Sequence, residues 1–342
     1  MQNKPIVVAL LSVVLAALSS SPSVAAKTTA PEDSPTGELS ESDLAQVTAT
    51  GSSWTIAKAV LPDYTIRRTV PEVRIQFTVA DSRDRLLQSL SKEDVSIVDN
   101  RLSVQRISSF SRQEDLPLQL SMLLDVSDSV EKTRVRERLA AQYFFANVLR
   151  PETDRVTLLA FSNDVRVWQG STGNREELSD ALSRIKQQGY ATYLYDSVFR
   201  ACLDQFPVSR DGDIAQRVLI VISDGIDTGS LHSLSDAIST ALRREVQIFA
   251  VSVHSPRQNS TGDVVLQSLS ESTGGKLYVA NSEKDFSVIF AAMAQQMRTQ
   301  YVLSYQPTEH TSGFHAVKIE VRSSDEVRVH SRVGYFFEAP KN

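Results

Sequence analysis

Cysteine is nearly absent from this chain. Of 342 residues only Cys202 carries a thiol, so no intramolecular disulfide can form. Stability must come from packing, in whatever redox compartment the protein works. Cys202 lies within a helical pattern, Leu194 to Phe206, with no histidine near it in sequence to activate it. It reads as a small buried apolar side chain rather than a nucleophile. Histidine is also sparse: His232, His254, His310, His315 and His330 are scattered without metal-ligand spacing and read as surface residues. No Gly-x-Ser-x-Gly and no phosphate-cradling glycine loop is present. Positive charge is in deficit, 36 basic against 41 acidic residues, which argues against nucleic acid as a partner.

Long apolar runs are missing after the first residues. The run that does occur, Ile6 to Leu18, is interrupted only by Ser12 and follows Lys4; Ser23-Val24-Ala25-Ala26 offers small residues for cleavage. Its 13 residues are short for a membrane span, which needs about 20. Residues 1–26 therefore read as a signal peptide, and the protein is expected to be exported, periplasmic or secreted. An uncleaved anchor is the competing reading, and membrane association is expected only in that case. Residues 27–68 begin rich in Thr, Ser, Pro, Glu and Ala and read as a flexible linker, with Trp54 to Tyr64 a more apolar piece that fits an edge strand or a docking segment.

From residue 69 the pattern changes. Val73, Ile75, Phe77 and Val79 alternate with polar residues, the period of a half-buried strand. Val95 to Val98 makes a second strand, and Leu102, Val104 and Ile107 a third, in a β module over 69–113. The end of the chain, 300–338, is again strand-like and rich in β-branched and aromatic residues. Each module is small to stand alone, so the two are expected to pair into one β-sandwich-like domain.

Between them, residues 117–298 alternate strand and helix, which implies an α/β domain: a doubly wound, mostly parallel sheet covered by helices on both sides. Leu118 to Leu124 and Arg217 to Ile222 are apolar runs of the kind buried on both faces. A helix is expected over 129–149, with Val135, Leu139, Tyr143 and Ala146 on one face and Arg134, Arg136 and Arg138 in solvent.

The first of those buried runs ends in Asp125-Val126-Ser127-Asp128-Ser129, and the second in Ser223-Asp224-Gly225. A third loop, Gly189-Tyr190-Ala191-Thr192, stands just before the helix that starts at Leu194. In open α/β sheets ligands bind outside the carboxyl ends of the strands, where all three pieces lie. Carboxylates and hydroxyls are hard oxygen donors, suited to Mg²⁺ or another small divalent cation.

Asp-x-Ser-x-Ser, a distant Thr and a distant Asp, in that order, resemble the von Willebrand factor A domain with its metal-ion-dependent adhesion site. The flanks are similar to the exported bacterial "VWFA-related" type: Leu90-Ser91-Lys92-Glu93-Asp94 and Ile97-Val98-Asp99-Asn100 before the domain, Gln300 to Pro307 and Val333-Gly334-Tyr335 after it. The resemblance implies that Ser127, Ser129 and Thr192 ligate Mg²⁺, with Mn²⁺ or Ca²⁺ as substitutes, through their hydroxyls. Asp125 and Asp224 would act directly or through water, and an Asp or Glu carboxylate from a partner protein would complete the coordination. The implied function is protein binding, not catalysis. Two other readings stand beside it: a structural envelope protein whose site only stabilises the fold, and a metal-dependent hydrolase.

The chain departs from the family at Asp128, where Gly is common, and at Val130, where Met is common. Asp196 and Asp227 read as helix-start and loop residues, not ligands. An EF-hand reading fails because Val130 and Arg136 occupy its sixth and twelfth positions.

Overall fold

The computed structural model describes residues 72–127, 134–186, 189–208, 215–252, 261–323 and 326–339. The leader, the linker with Trp54 to Tyr64, and Asp128, Ser129, Val130 and His254 lie outside the described residues.

Four strands precede the α/β region: β1 (Val73–Asp81), β2 (Val95–Asp99), β3 (Leu102–Ser103) and β4 (Ile107–Gln113). Then come β5 (Leu118–Asp125), α1 (Arg134–Asn147), β6 (Arg155–Phe161), β7 (Val165–Thr172), α2 (Arg175–Arg184), α3 (Leu194–Gln205), β8 (Gln216–Ser223) and α4 (Leu234–Arg243). β9 (Gln247–Ser252), α5 (Thr261–Ser272), β10 (Leu277–Val279) and α6 (Phe286–Arg298) complete that region. The chain closes with β11 (Gln300–Tyr305), β12 (Gly313–Val321), β13 (Val327–Ser331) and β14 (Gly334–Phe337).

The central sheet has the order β10-β9-β8-β5-β6-β7, parallel except for β7, which returns antiparallel on β6. The inner strands are apolar on both faces because helices cover both. Leu120, Met122 and Leu124 of β5 face α1, α2 and α6 in one core, while Leu123 faces α3, α4 and α5 in another. Cys202 is part of that second core, and burial pushes its thiol up to about 12, far from a reactive thiolate.

The flanking strands make two antiparallel sheets, β13-β1-β11-β4 and β14-β12-β2-β3. Ile75, Phe77, Ile97, Leu303, Ile319 and Phe337 belong to one core drawn from both sheets, so N- and C-terminal strands build one sandwich. The α/β region leaves from β4 and re-enters at β11, and these strands pair with Gln113 opposite Gln300. An insertion that starts and ends on neighbouring strands leaves the sandwich continuous. Among the described residues no helix is long and apolar enough to cross a membrane.

Three expectations need correction. The stretch read as one strand over Leu102 to Ile107 is split: β3 pairs with β2 in one sheet, and β4, beginning at Ile107, pairs with β11 in the other. The buried apolar face of α1 is Ala140, Ala141, Phe144 and Phe145, continued by Val148 just past its end, with Val135 and Ala146 exposed and Leu139 and Tyr143 only half-buried. Phe144 packs edge-to-face on Phe290 of α6, and the two phenylalanines set the rotation of the helix. Arg136 is accordingly not free in solvent; its Nη2 donates to Ala280 O at 2.6 Å. Finally, His315 is buried rather than on the surface. It occupies an inward position of β12, in step with Val317 and Ile319, so strand alternation carries it into the core. Its Nε2 donates to Thr311 O, while Nδ1 faces Asp99 and Tyr335.

Candidate functional site

β5 and β8 are neighbours, but their onward connections run in opposite directions, β5 towards β6 and β8 towards β9. That divergence makes their carboxyl ends the topological switch point, the place where doubly wound sheets bind ligands. Asp125 is the last residue of β5 and Ser223 the last of β8.

Asp125 is fully buried. Its Oδ1 accepts from Ser127 N at 3.0 Å and from Ser127 Oγ at 2.6 Å; its Oδ2 accepts from Ser223 Oγ at 2.8 Å. The first two bonds fold the Asp-x-Ser step into an Asx turn, which fixes both side chains. Ser127 Oγ in turn accepts from Thr192 Oγ1 at 2.9 Å, across 65 residues of sequence. Asp125, Ser127 and Thr192 are thus joined in one buried row. Asp224 follows Ser223, is half-buried, and its Oδ1 accepts from Ile226 N at 3.0 Å. Ser129 lies outside the described residues.

Two glycines set the loops. Gly225 has φ +78, and a Cβ there would sit 2.2 Å from Gly262 O at the start of α5. Gly189 has φ +80, and a Cβ there would sit 2.1 Å from Asn163 Oδ1. Both positions combine the left-handed backbone with a close approach, so only glycine fits. The Thr192 loop is then pinned on both sides. Ala191 N donates to Asn163 Oδ1 and Tyr193 N to Ser162 O on the β6–β7 turn. Thr192 N donates to Thr228 Oγ1 at 2.8 Å, and Thr228 N to Thr192 O at 2.8 Å, on the loop after β8.

Burial pushes the Asp125 carboxyl up to about 6; the hydrogen bonds from Ser127 and Ser223 offset part of this, and the negative charge of Asp224 adds to it. The hydrogen-bond donors to Asp125 are hydroxyls and a backbone amide, none of them cationic. A buried carboxylate in that setting lacks a countercharge. A divalent cation would supply one, and the carboxylates and hydroxyls of this row are oxygen donors of the type Mg²⁺ accepts, so the residues fit such an ion. Among the described residues no group of three or more His, Cys, Asp and Glu side chains is placed to hold a metal. This row draws on hydroxyls instead.

Several contributors carry no clear sequence signal. Ser223 stands beside Asp224 and could have been found as the last residue of a buried strand. Thr228 and Asn163 could not, because their role is to hold another loop. Asp196 accepts from Leu231 N, His232 N and His232 Nδ1, and Asp227 accepts from Tyr195 N and Ser230. Both carboxylates brace the loop after β8 against the start of α3.

A family model described as "von Willebrand factor type A domain" matches residues 120–292. Solved structures with a similar fold include a conserved hypothetical protein, BatB, from Bacteroides thetaiotaomicron: 16% identity over 53% of this chain and 98% of that one, TM-score 0.43. An aerotolerance-related membrane protein from Bacteroides fragilis gives 15% identity over the same shares, 53% and 98%, with TM-score 0.43. Proximal thread matrix protein 1 from the mussel byssus, in a structure described with a zinc-occupied MIDAS motif, gives 12% identity over 54% of this chain and 48% of that one, TM-score 0.44. Comparison with curated proteins gives no match. The family match spans just over half of the sequence, and the chain belongs to the von Willebrand factor type A domain family.

Proposed function

We propose that this protein is an exported, metal-dependent protein-binding module. A divalent cation, Mg²⁺ with Mn²⁺ or Ca²⁺ as substitutes, is held by Asp125, Ser127, Ser129, Thr192 and Asp224. A partner's Asp or Glu carboxylate completes its coordination. The observation that supports this most is the buried Asp125 carboxylate, bonded only to neutral donors at the carboxyl ends of β5 and β8. With mostly neutral hydroxyl donors, a bound cation keeps positive charge for an anionic ligand. Von Willebrand factor type A domains are in general interaction modules rather than enzymes, which agrees with binding. Export rests on the leader-like residues 1–26, and the intact mass of the mature chain shows whether they are removed.

The test is thermal unfolding of the full chain, titrated with Mg²⁺ and compared with chelator. A cation that binds only the folded state stabilises by about 2.7 kcal/mol at a hundred times its Kd. The wild type is expected to show that rise in Tm and Asp125→Ala to lose it. A wild type indifferent to Mg²⁺, Mn²⁺ and Ca²⁺ would sink the metal-site reading and favour a purely structural role.

A further inference from the structure

The loops that frame the candidate metal site combine fixed backbones with unpacked apolar side chains. Tyr190 is 91% exposed and Leu231 94%, and Ile226 is 40% exposed. None sits on a loose segment. Tyr190 lies between Gly189, whose backbone packs on Asn163, and Ala191, whose N–H donates to Asn163 Oδ1. Leu231 N donates to Asp196 Oδ2 at 3.0 Å, and Ile226 N donates to Asp224 Oδ1 itself. The two loops are laced to each other through Thr192 and Thr228. With the backbones fixed at these positions, only the side-chain rotamers remain to be ordered on binding, and that prior ordering of the loops is what preorganisation contributes to affinity. Tyrosine is also among the side chains that dominate interface energetics.

The charge of this rim narrows the partner. The described loop residues 162–164, 189–193 and 223–233 carry Asp164, Asp224 and Asp227 and contain no Lys or Arg. An acidic partner group therefore finds no basic side chain on these loops. It is repelled by them except where a bound cation inverts the local charge. The exposed Tyr190, Leu231 and Ile226 on the same loops offer apolar contact beside that cation.

Building on the metal-dependent reading above, we propose that the partner segment presents a carboxylate directly flanked by aromatic or branched aliphatic side chains. The carboxylate meets the cation, and the flanking groups pack on Tyr190, Leu231 and Ile226.

The probe is a displayed random peptide library, selected on the full-length protein in Mg²⁺ and released with EDTA. Recovered sequences are expected to carry Asp or Glu next to Phe, Tyr, Leu or Ile. One such peptide, synthesised, is expected to bind about tenfold more weakly to Tyr190→Ser and to Leu231→Ser, since a well-packed interface anchor carries at least that factor. Both side chains are over 90% exposed, so folding survives the change, and an unshifted Tm verifies it. Unchanged affinity for both variants, or acidic peptides with polar or basic flanks, overturns the apolar clamp while leaving the metal site standing. Mg²⁺-dependent stabilisation without any EDTA-released peptide also overturns the clamp. Peptide recovery indifferent to EDTA, together with no Mg²⁺ effect on Tm, instead overturns the metal-dependent reading on which the clamp rests.

Discussion

Two fully buried aspartates stand at opposite edges of the central sheet. At the amino edge, Asp154 precedes β6 and is gripped by Arg298 from the end of α6: Nη2 to Oδ2 at 2.6 Å and Nη1 to Oδ1 at 3.1 Å. Leu118 N, Arg150 N and, at 3.4 Å, Thr153 Oγ1 also donate to it, and the Arg298 Nη1 and Nη2 groups further donate to Leu116 O and Val148 O. At the carboxyl edge, Asp125 is as fully buried but has fewer bonds, all from neutral donors. Burial alone would raise both carboxyls. Arg298, with the Arg150 and Leu118 amides, overcomes it and holds Asp154 below the usual carboxylate range, while Asp125 stays raised. The amino edge is therefore a finished fastener joining α6 to β5, β6 and the end of α1, while the buried carboxylate at the carboxyl edge has no cationic donor.

The largest expected effect breaks the fastener. Arg298→Met leaves Asp154 buried without its countercharge, and losing one member of such a pair costs about 3–5 kcal/mol, read by urea unfolding. A depressed carboxylate stabilises fully above its ordinary value of 3.8 and loses that contribution as pH falls through its lower folded value. The stability gap between the wild type and Asp154→Asn should therefore narrow on acidifying below about pH 4, because the variant lacks this titration. A gap constant with pH would mean that the pair contributes through packing alone.

The two edges were not equally legible in the sequence. Asp125 and Ser127 stand two residues apart at the end of an apolar run, so that strand end could be singled out directly, and the hydrogen bond from Thr192 to Ser127 joins to it a loop that the same strand-loop pattern had placed there. Asp154 and Arg298 are 144 residues apart. One lies in a Pro-Glu-Thr-Asp turn and the other in the last turn of a helix, where a solvated arginine is the ordinary expectation. Only the closing of α6 onto the start of β5 brings them together. The sandwich was legible because period-2 alternation marked its inward residues. The division of Leu102 to Gln113 between two sheets was not, since it depends on which partners those residues meet.

A smaller effect is expected where loop geometry, not charge, makes the carboxyl edge. Gly225→Ala must adopt φ +78 and displace the Gly262 backbone. The left-handed penalty of about 1–2 kcal/mol and the overpacking of about 1–3 kcal/mol together give a loss of roughly 2–5 kcal/mol. Because Asp224 shifts with the loop, the Mg²⁺-induced rise in Tm should shrink as well. Thr228→Val removes the hydroxyl that accepts from Thr192 N. That is expected to cost about 1 kcal/mol and to weaken Mg²⁺ binding without touching a ligand. Unchanged Mg²⁺ affinity in Thr228→Val would show that Thr192 is held well enough by its other bonds.

The smallest expected change in stability falls on Asp125, the residue on which the proposed metal site most depends. In chelator, Asp125→Asn removes a buried charge that no cation balances while keeping an acceptor for Ser127. The loss of one hydrogen bond and the relief of desolvation then oppose each other, and the net change should stay within about 1 kcal/mol of the wild type. The same variant in Mg²⁺ should fall behind by the full binding contribution. This pairing separates a binding residue from a structural one: Arg298→Met is costly whatever the medium, Asp125→Asn only when the cation is present. A cost in chelator as large as that of Arg298→Met would mean that the neutral donors already satisfy the carboxylate. Both edges of the sheet would then be fasteners, and the contrast drawn between them would fail.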